Sequence, residues 1–254
     1  WPGGRFGSLM PARTNPADQG TCLNCHPVHG WPDAANPANH YPQLLADFEE
    51  NFCFTCHGTN GPSVKQVQAD FGKARHHPVR DSEQVAGRTS ECTDCHNAHL
   101  AQVGAHNYTN TATASRNQIS NPLKGVSGVA FNYSGLANFQ AVATNLYTSI
   151  PASPGATNEY QICFKCHSGY AWLPGSPPNG LSPNGTANTP LETDCAQEFS
   201  PMNKSGHPIM TGLDNYPNSI AVGGKKGLLA AAMKAPWNVN LGQQTMACID
   251  CHTG

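Results

Sequence analysis

The sequence predicts a mostly irregular, loop-rich chain with a few short helices, little strand, and a core that its own side chains do not supply. Three observations lead there. Gly (25) and Pro (21) make up nearly a fifth of the 254 residues, and both interrupt regular structure. Only 38% of the chain is hydrophobic. Ordering each residue costs about 1–2 kcal/mol, so an apolar fraction this low predicts that something besides protein fills the interior. The third observation is 11 Cys and 12 His, with ten of the cysteines in one repeated pattern.

The expected elements follow in chain order. Pro42 suits a first helical position and Gly58 a stop, which predicts a helix from Pro42 to His57. Asn121 to Tyr133 alternates and carries Val and Phe, which predicts a short hairpin. Asn158 to His167 reads as a helix ending near Gly169, and Gly169 to Pro190 as irregular loop rich in Pro, Gly, Ser and Asn. A last helix is expected over Lys226–Lys234, stopped by Pro236.

Composition also excludes classes. With 14 Lys+Arg against 16 Asp+Glu, the net charge of −2 and the lack of a basic run argue against nucleic acid and anionic membrane surfaces. The most apolar window, Gly227 to Met233, is too short to span a membrane. Trp1-Pro2-Gly3-Gly4 has neither the charged start nor the apolar centre of a leader, as expected of a mature chain.

The repeated pattern is Cys-x-x-Cys-His. Its copies are Cys22-Leu-Asn-Cys25-His26, Cys53-Phe-Thr-Cys56-His57, Cys92-Thr-Asp-Cys95-His96, Cys163-Phe-Lys-Cys166-His167 and Cys248-Ile-Asp-Cys251-His252. Two residues between thiols let both reach the two vinyl groups of one haem from a single turn, and the next residue sets an imidazole under the iron. Zinc knuckles would not require His after every second Cys, and a disulfide framework would not repeat a two-residue gap five times. The pattern therefore predicts five covalently attached c-type haems. Thioether attachment follows export, which predicts a place outside the cytoplasm. One multihaem domain is expected over residues 1–254, with a compact three-haem segment at 1–100 and a loop-rich two-haem segment at 101–254. The gaps at 97–162 and 168–247 share no period.

Each iron has a second axial position. Seven histidines lie outside the motifs: His29, His40, His76, His77, His99, His106 and His207. These suffice for bis-histidine ligation throughout. His29 and His99 each follow a proximal histidine by three residues, close enough to hold two haems together. His76 and His77 are adjacent and can serve different irons. His77-Pro78-Val79 and His207-Pro208-Ile209 share a His-Pro-aliphatic pattern in which proline stiffens the ligand's backbone. The preferred five are His29, His76, His77, His99 and His207, with His40 and His106 in reserve. Met10, Met202, Met210, Met233 and Met246 show no fixed spacing from the motifs and read as packing against haem edges.

Cys195 stands outside the pattern and reads as a small buried hydrophobe, with an intermolecular disulfide or reactive thiol as the alternative. Asn107, Asn132, Asn184 and Asn203 begin Asn-x-Ser/Thr sequons.

Four segments extend the signal: Cys92-Thr-Asp-Cys95-His96-Asn-Ala-His99, Leu123-Lys-Gly-Val-Ser-Gly-Val129, Tyr160-Gln-Ile-Cys163-Phe-Lys-Cys166-His167, and Ala196-Gln-Glu-Phe-Ser-Pro-Met-Asn-Lys-Ser-Gly-His207-Pro. Together they resemble the outer-surface multihaem cytochromes of metal-reducing microbes, the extracellular cytochrome filaments (nanowires) of the OmcE/OmcS type. The count of five motifs departs from those two namesakes. The resemblance implies bis-histidine haems in a continuous stack that forms the core, and identical subunits joined head to tail. It also implies a histidine from one subunit, expected from the segment holding His29 and His40, ligating a haem of the next. The expected function is electron transport to redox partners or extracellular acceptors from the cell surface, without catalysis. The alternatives are a soluble periplasmic pentahaem shuttle and, less in keeping with five His-ended motifs, a multihaem reductase.

Overall fold

The structure, a computed structural model, describes residues 25–26, 47–61, 63, 65–83, 89–102, 104, 115–172 and 194–252. The chain forms two compact units, Trp1–Cys92 with Gly254, and Thr93–Thr253. Regular structure is sparse among the described residues: short helices, two two-stranded sheets and scattered 3-10 turns. None of the described helices is long and apolar enough to cross a membrane.

In the first unit, helix α1 (Glu49–His57) carries Glu49 and Glu50 in its first turn and His57 in its last, the order the helix dipole favours. The expected start at Pro42 lies outside the described residues, while Asp47 and Phe48 are not helical. Gly58 ends the helix as expected, though in an extended conformation (φ −81°) rather than a left-handed one. A glycine is needed there because a Cβ would strike the Phe54 carbonyl, which accepts the Gly58 N–H at 2.8 Å. The following chain folds back, with Val67 N donating to His57 O at 2.9 Å and Ser63 N to Cys56 O at 3.0 Å. Phe54 meets Phe71 at 5.8 Å between ring centroids. Among the described apolar side chains of this unit, only Val79 is buried.

Helix α2 (Cys92–Cys95) is a single turn. In the second unit, strand β1 (Gly128–Phe131) pairs antiparallel with β2 (Tyr147–Ile150), in the register Val129↔Ser149 and Phe131↔Tyr147. The expected hairpin within 121–133 is corrected: residues 121–123 form a 3-10 turn and the strand's partner arrives from beyond residue 133. Phe131 and Phe164 pack at 6.1 Å and Tyr160 and Phe164 at 5.3 Å, in a core shared with Val129, Leu136, Ile209 and Met210.

Helix α3 (Glu159–Cys163) is capped by Gln161, whose Oε1 accepts from Asn158 N at 3.0 Å and Thr157 N at 2.9 Å. It ends four residues before the expected His167, because Cys166 N and His167 N both converge on Cys163 O and tighten the last turn. Helix α4 (Cys195–Glu198) has Asp194 as N-cap, accepting from Ala196 N at 3.0 Å. Cys195 is half-buried at the edge of the core.

The expected helix at 226–234 is absent. Strands β3 (Ala221–Val222) and β4 (Lys225–Lys226) form a hairpin through Gly223-Gly224, both at positive φ, and only Ala230–Ala232 makes a helical turn, of 3-10 type. Gly227 at φ +105° breaks the run between them. The expected loop at 169–190 begins with a 3-10 turn, Gly169–Trp172, and continues outside the described residues.

Candidate functional site

The four Cys-x-x-Cys-His segments that are described in full fold as single helical turns. Residues i, i+3 and i+4 of a helix share a face, so one turn sets both thiols and the imidazole on the same side. The second motif occupies the last turn of α1, and the third is α2 with His96 following. The fourth closes α3, with Cys163 O accepting from Cys166 N at 3.1 Å and His167 N at 2.9 Å. The fifth repeats this in a 3-10 turn (Cys248–Asp250), where Cys248 O accepts from Cys251 N at 3.2 Å and His252 N at 3.0 Å. Of the first motif only Cys25 and His26 are described, both half-buried; Cys22 lies outside the described residues.

The imidazoles are set by backbone carbonyls. His57 Nδ1 lies 2.9 Å from Lys65 O, and His96 Nδ1 lies 3.2 Å from Pro122 O. A carbonyl only accepts, so each Nδ1 carries the proton and Nε2 is left as the metal-binding nitrogen. This is the arrangement in which metal-ligating histidines are held. Asn97 Nδ2 donates to Gly125 O at 2.7 Å, so the 121–125 segment cradles the third motif from two sides.

Thiols of different motifs meet. Within the first unit Cys53 donates to Cys92, which pushes the Cys53 thiol up, with burial adding to it, and holds Cys92 below its ordinary value. Within the second unit the Sγ atoms of Cys163 and Cys248 and a carboxylate oxygen of Glu159 lie within 4.8 Å of one another. The Cys248 contact and then burial raise the Cys163 thiol, and burial raises Cys56. No disulfide joins the described cysteines to one another. Two thiols to a turn beside an imidazole in a set tautomer fit the attachment of a c-type haem, which takes two sulfurs for its vinyl groups and one nitrogen for its iron.

The remaining histidines are placed differently. The backbone at His77-Pro78-Val79 is pinned by Ser90 N donating to Pro78 O at 2.8 Å, and Val79 is buried. At His207-Pro208-Ile209, Met246 N donates to Pro208 O at 3.0 Å and Ile209 is buried. His76 Nδ1 donates to Lys73 O at 2.5 Å while its Nε2 faces Glu83 Oε2 at 3.5 Å, so it would have to leave that carboxylate to take an iron. Arg80 in turn holds the Glu83 carboxyl below its usual range. His99 N–H donates to Asn97 Oδ1 at 3.0 Å and the residue is exposed. His29, His40 and His106 lie outside the described residues, as do the sequons at Asn107 and Asn184. Asn203 is fully buried, its Nδ2 bonded to Gln197 O and Glu198 O at 2.8 Å, which leaves no room for a glycan.

Sequence reasoning missed the groups that brace the motifs. Arg116 forks onto Asp250, inside the fifth motif, at 2.6 and 2.9 Å, with its side chain 3% exposed and that of Asp250 0%. Its guanidinium also lies 5.1 Å from the Trp237 ring centroid. The signal was available, because Arg116 is the last arginine of the sequence and Asp250 sits in a motif otherwise apolar or cofactor-binding. Lys165, inside the fourth motif, reaches Asp94 O in the third at 2.5 Å. Buried Glu159 accepts from Ile249 N at 3.0 Å.

Comparison of the chain with protein-family models, curated proteins and solved structures finds no match.

Proposed function

We propose that the chain is an electron-transfer protein that carries five covalently attached c-type haems outside the cytoplasm. The cysteine pairs Cys22/Cys25, Cys53/Cys56, Cys92/Cys95, Cys163/Cys166 and Cys248/Cys251 would hold them, with His26, His57, His96, His167 and His252 as proximal ligands. The haems supply reversible one-electron iron chemistry when bound. The observation that carries this reading is the pair of Nδ1–H···O=C bonds at His57 and His96, which gives proximal histidines the tautomer that ligation needs. Carbonyls in fixed loops also orient those rings. All five motifs end in histidine, and seven further histidines outnumber the five second positions, which favours closed, six-coordinate irons over an open catalytic one.

The segments that resemble cytochrome filaments extend the proposal to head-to-tail assembly, with one distal ligand given by the neighbouring subunit. The purified protein should gain the mass of five haems, show thioethers at the ten motif cysteines and none at Cys195, and give a low-spin spectrum at rest. A dominant high-spin signal would instead point to a reductase. Filamentous particles are expected by electron microscopy; a uniform monomer would replace the filament with a soluble shuttle.

A further inference from the structure

Two stretches of the chain share more than their motifs. The second and fourth motifs both read Cys-Phe-x-Cys-His, each with a glutamate four residues before its first cysteine, Glu49 and Glu159. The third and fifth both read Cys-x-Asp-Cys-His. Between the members of each pair lies a His-Pro-aliphatic segment, His77-Pro78-Val79 and His207-Pro208-Ile209.

The geometry repeats with the letters. In both stretches a helix runs into the earlier motif, α1 through to His57 and α3 as far as Cys163. In both, the proline carbonyl accepts the N–H of the residue two places before the later motif: Ser90 before Cys92 at 2.8 Å, Met246 before Cys248 at 3.0 Å. The aliphatic residue is buried in both, Val79 at 3% and Ile209 at 4% exposed. The first cysteines of the two motifs touch in both, Cys53 with Cys92 and Cys163 with Cys248. The intervals between the parts differ, since 20 residues separate His57 from His77 and 40 separate His167 from His207. Agreement in hydrogen bonding across unlike spacings is not a by-product of sequence distance.

We infer that residues 49–96 and 159–252 are two copies of one two-haem module, in which His77 and His207 play the same part, each ligating an iron of its own module. The inference rests on the haem-carrying function proposed above. Each proline carbonyl fixes the backbone just after the histidine beside the later motif, and the paired first cysteines of each module would tether its two haems next to one another. The first motif stands outside the duplication.

The test uses the purified haem-loaded chain. His77→Ala and His207→Ala should each keep five haems by mass and convert one iron of five to a high-spin or exogenously ligated state, with similar electron paramagnetic signatures. The double variant should convert two. His77→Met and His207→Met, which retain six ligands, should each move one midpoint potential upward. Unchanged spectra and potentials in the His77 or His207 variants, with five haems present, would overturn the module. Fewer than five haems in the parent protein would instead sink the haem-carrying function itself.

Discussion

Asp194 and Asp250 are both sheltered carboxylates, and their partners make them behave differently. Asp250 faces the guanidinium of Arg116, so its charge is matched inside the protein. Among the described residues, Asp194 receives N–H groups alone, from Gly169 at 3.1 Å, Ala196 at 3.0 Å and Gln197 at 3.4 Å. Burial outweighs those donors and holds its carboxyl above the usual range. The sign follows from linkage: a folded-state value raised above the unfolded one means the folded chain holds more protons through that window. Stability tied to Asp194 is therefore fully present below the unfolded value near 3.8 and falls as pH rises through the folded one. Asparagine keeps the capping oxygen without the charge. Asp194→Asn should thus be at least as stable as the parent at neutral pH, and this fall with pH should vanish. Asp194→Ala should lose about 1 kcal/mol through the missing cap. Thermal melts from pH 3 to 8 would check both; a melting temperature for Asp194→Asn well below the parent's at pH 7 would contradict the account.

Among elements, what could be read from the sequence was what is local. Gly58 and Asn158 mark helix boundaries by the chemistry of a few adjacent residues, and the structure places those boundaries where expected. The Cys-x-x-Cys-His turns are likewise self-contained. The 226–234 helix does not form because Gly223-Gly224, both at positive φ, turn the chain into a hairpin whose second strand takes Lys225 and Lys226, and Gly227, also at positive φ, breaks the run that follows. The partner of β1 was illegible because pairing across residues 132–146 depends on the shared aromatic core around Phe131 and Tyr147, not on a turn signal. The backbone placement of His77 and His207 was hidden for the same reason, since the Pro78 and Pro208 carbonyls find their donors 12 and 38 residues away. The Arg116–Asp250 pair joins the 115–118 segment to the fifth motif and has its own test. Arg116→Met strands a buried carboxylate and should cost about 3–5 kcal/mol, whereas pairing it with Asp250→Leu should recover much of that loss. Denaturant midpoints followed by far-UV circular dichroism would measure both; equal losses in the single and double variants would rule out a charge-pairing role.

At the scale of the whole molecule, the two units differ in what their own side chains can stabilise. The second has an aromatic core in which Val129, Tyr160, Phe164, Ile209 and Met210 are all buried. The first, among its described residues, buries Val79 and offers one ring pair, Phe54 with Phe71. Its main element, α1, is nine residues long, and isolated helices shorter than about 12–15 residues are marginal in water. Against an ordering cost of about 1–2 kcal/mol per residue, the contacts among these described residues supply little of the opposing term. Under the proposed function that term is the apolar faces of the haems attached at Cys53/Cys56 and its neighbouring motifs, with the covalent tether removing much of the entropy of holding them. The expected outcome is a difference between the units when haem attachment is withheld. In chain produced without the attachment machinery, amides of α1 and residues 65–83 should exchange with solvent at nearly random-coil rates. Those of β1, β2 and Tyr160–Phe164 should retain protection, because their hydrogen bonds sit over a core made of protein. In the haem-loaded chain both sets should be protected. Hydrogen exchange read by mass spectrometry separates these cases peptide by peptide. Protection of α1 in the haem-free chain equal to that of β1 would show that the first unit folds on protein contacts alone, and would remove the haems as its stabilising core.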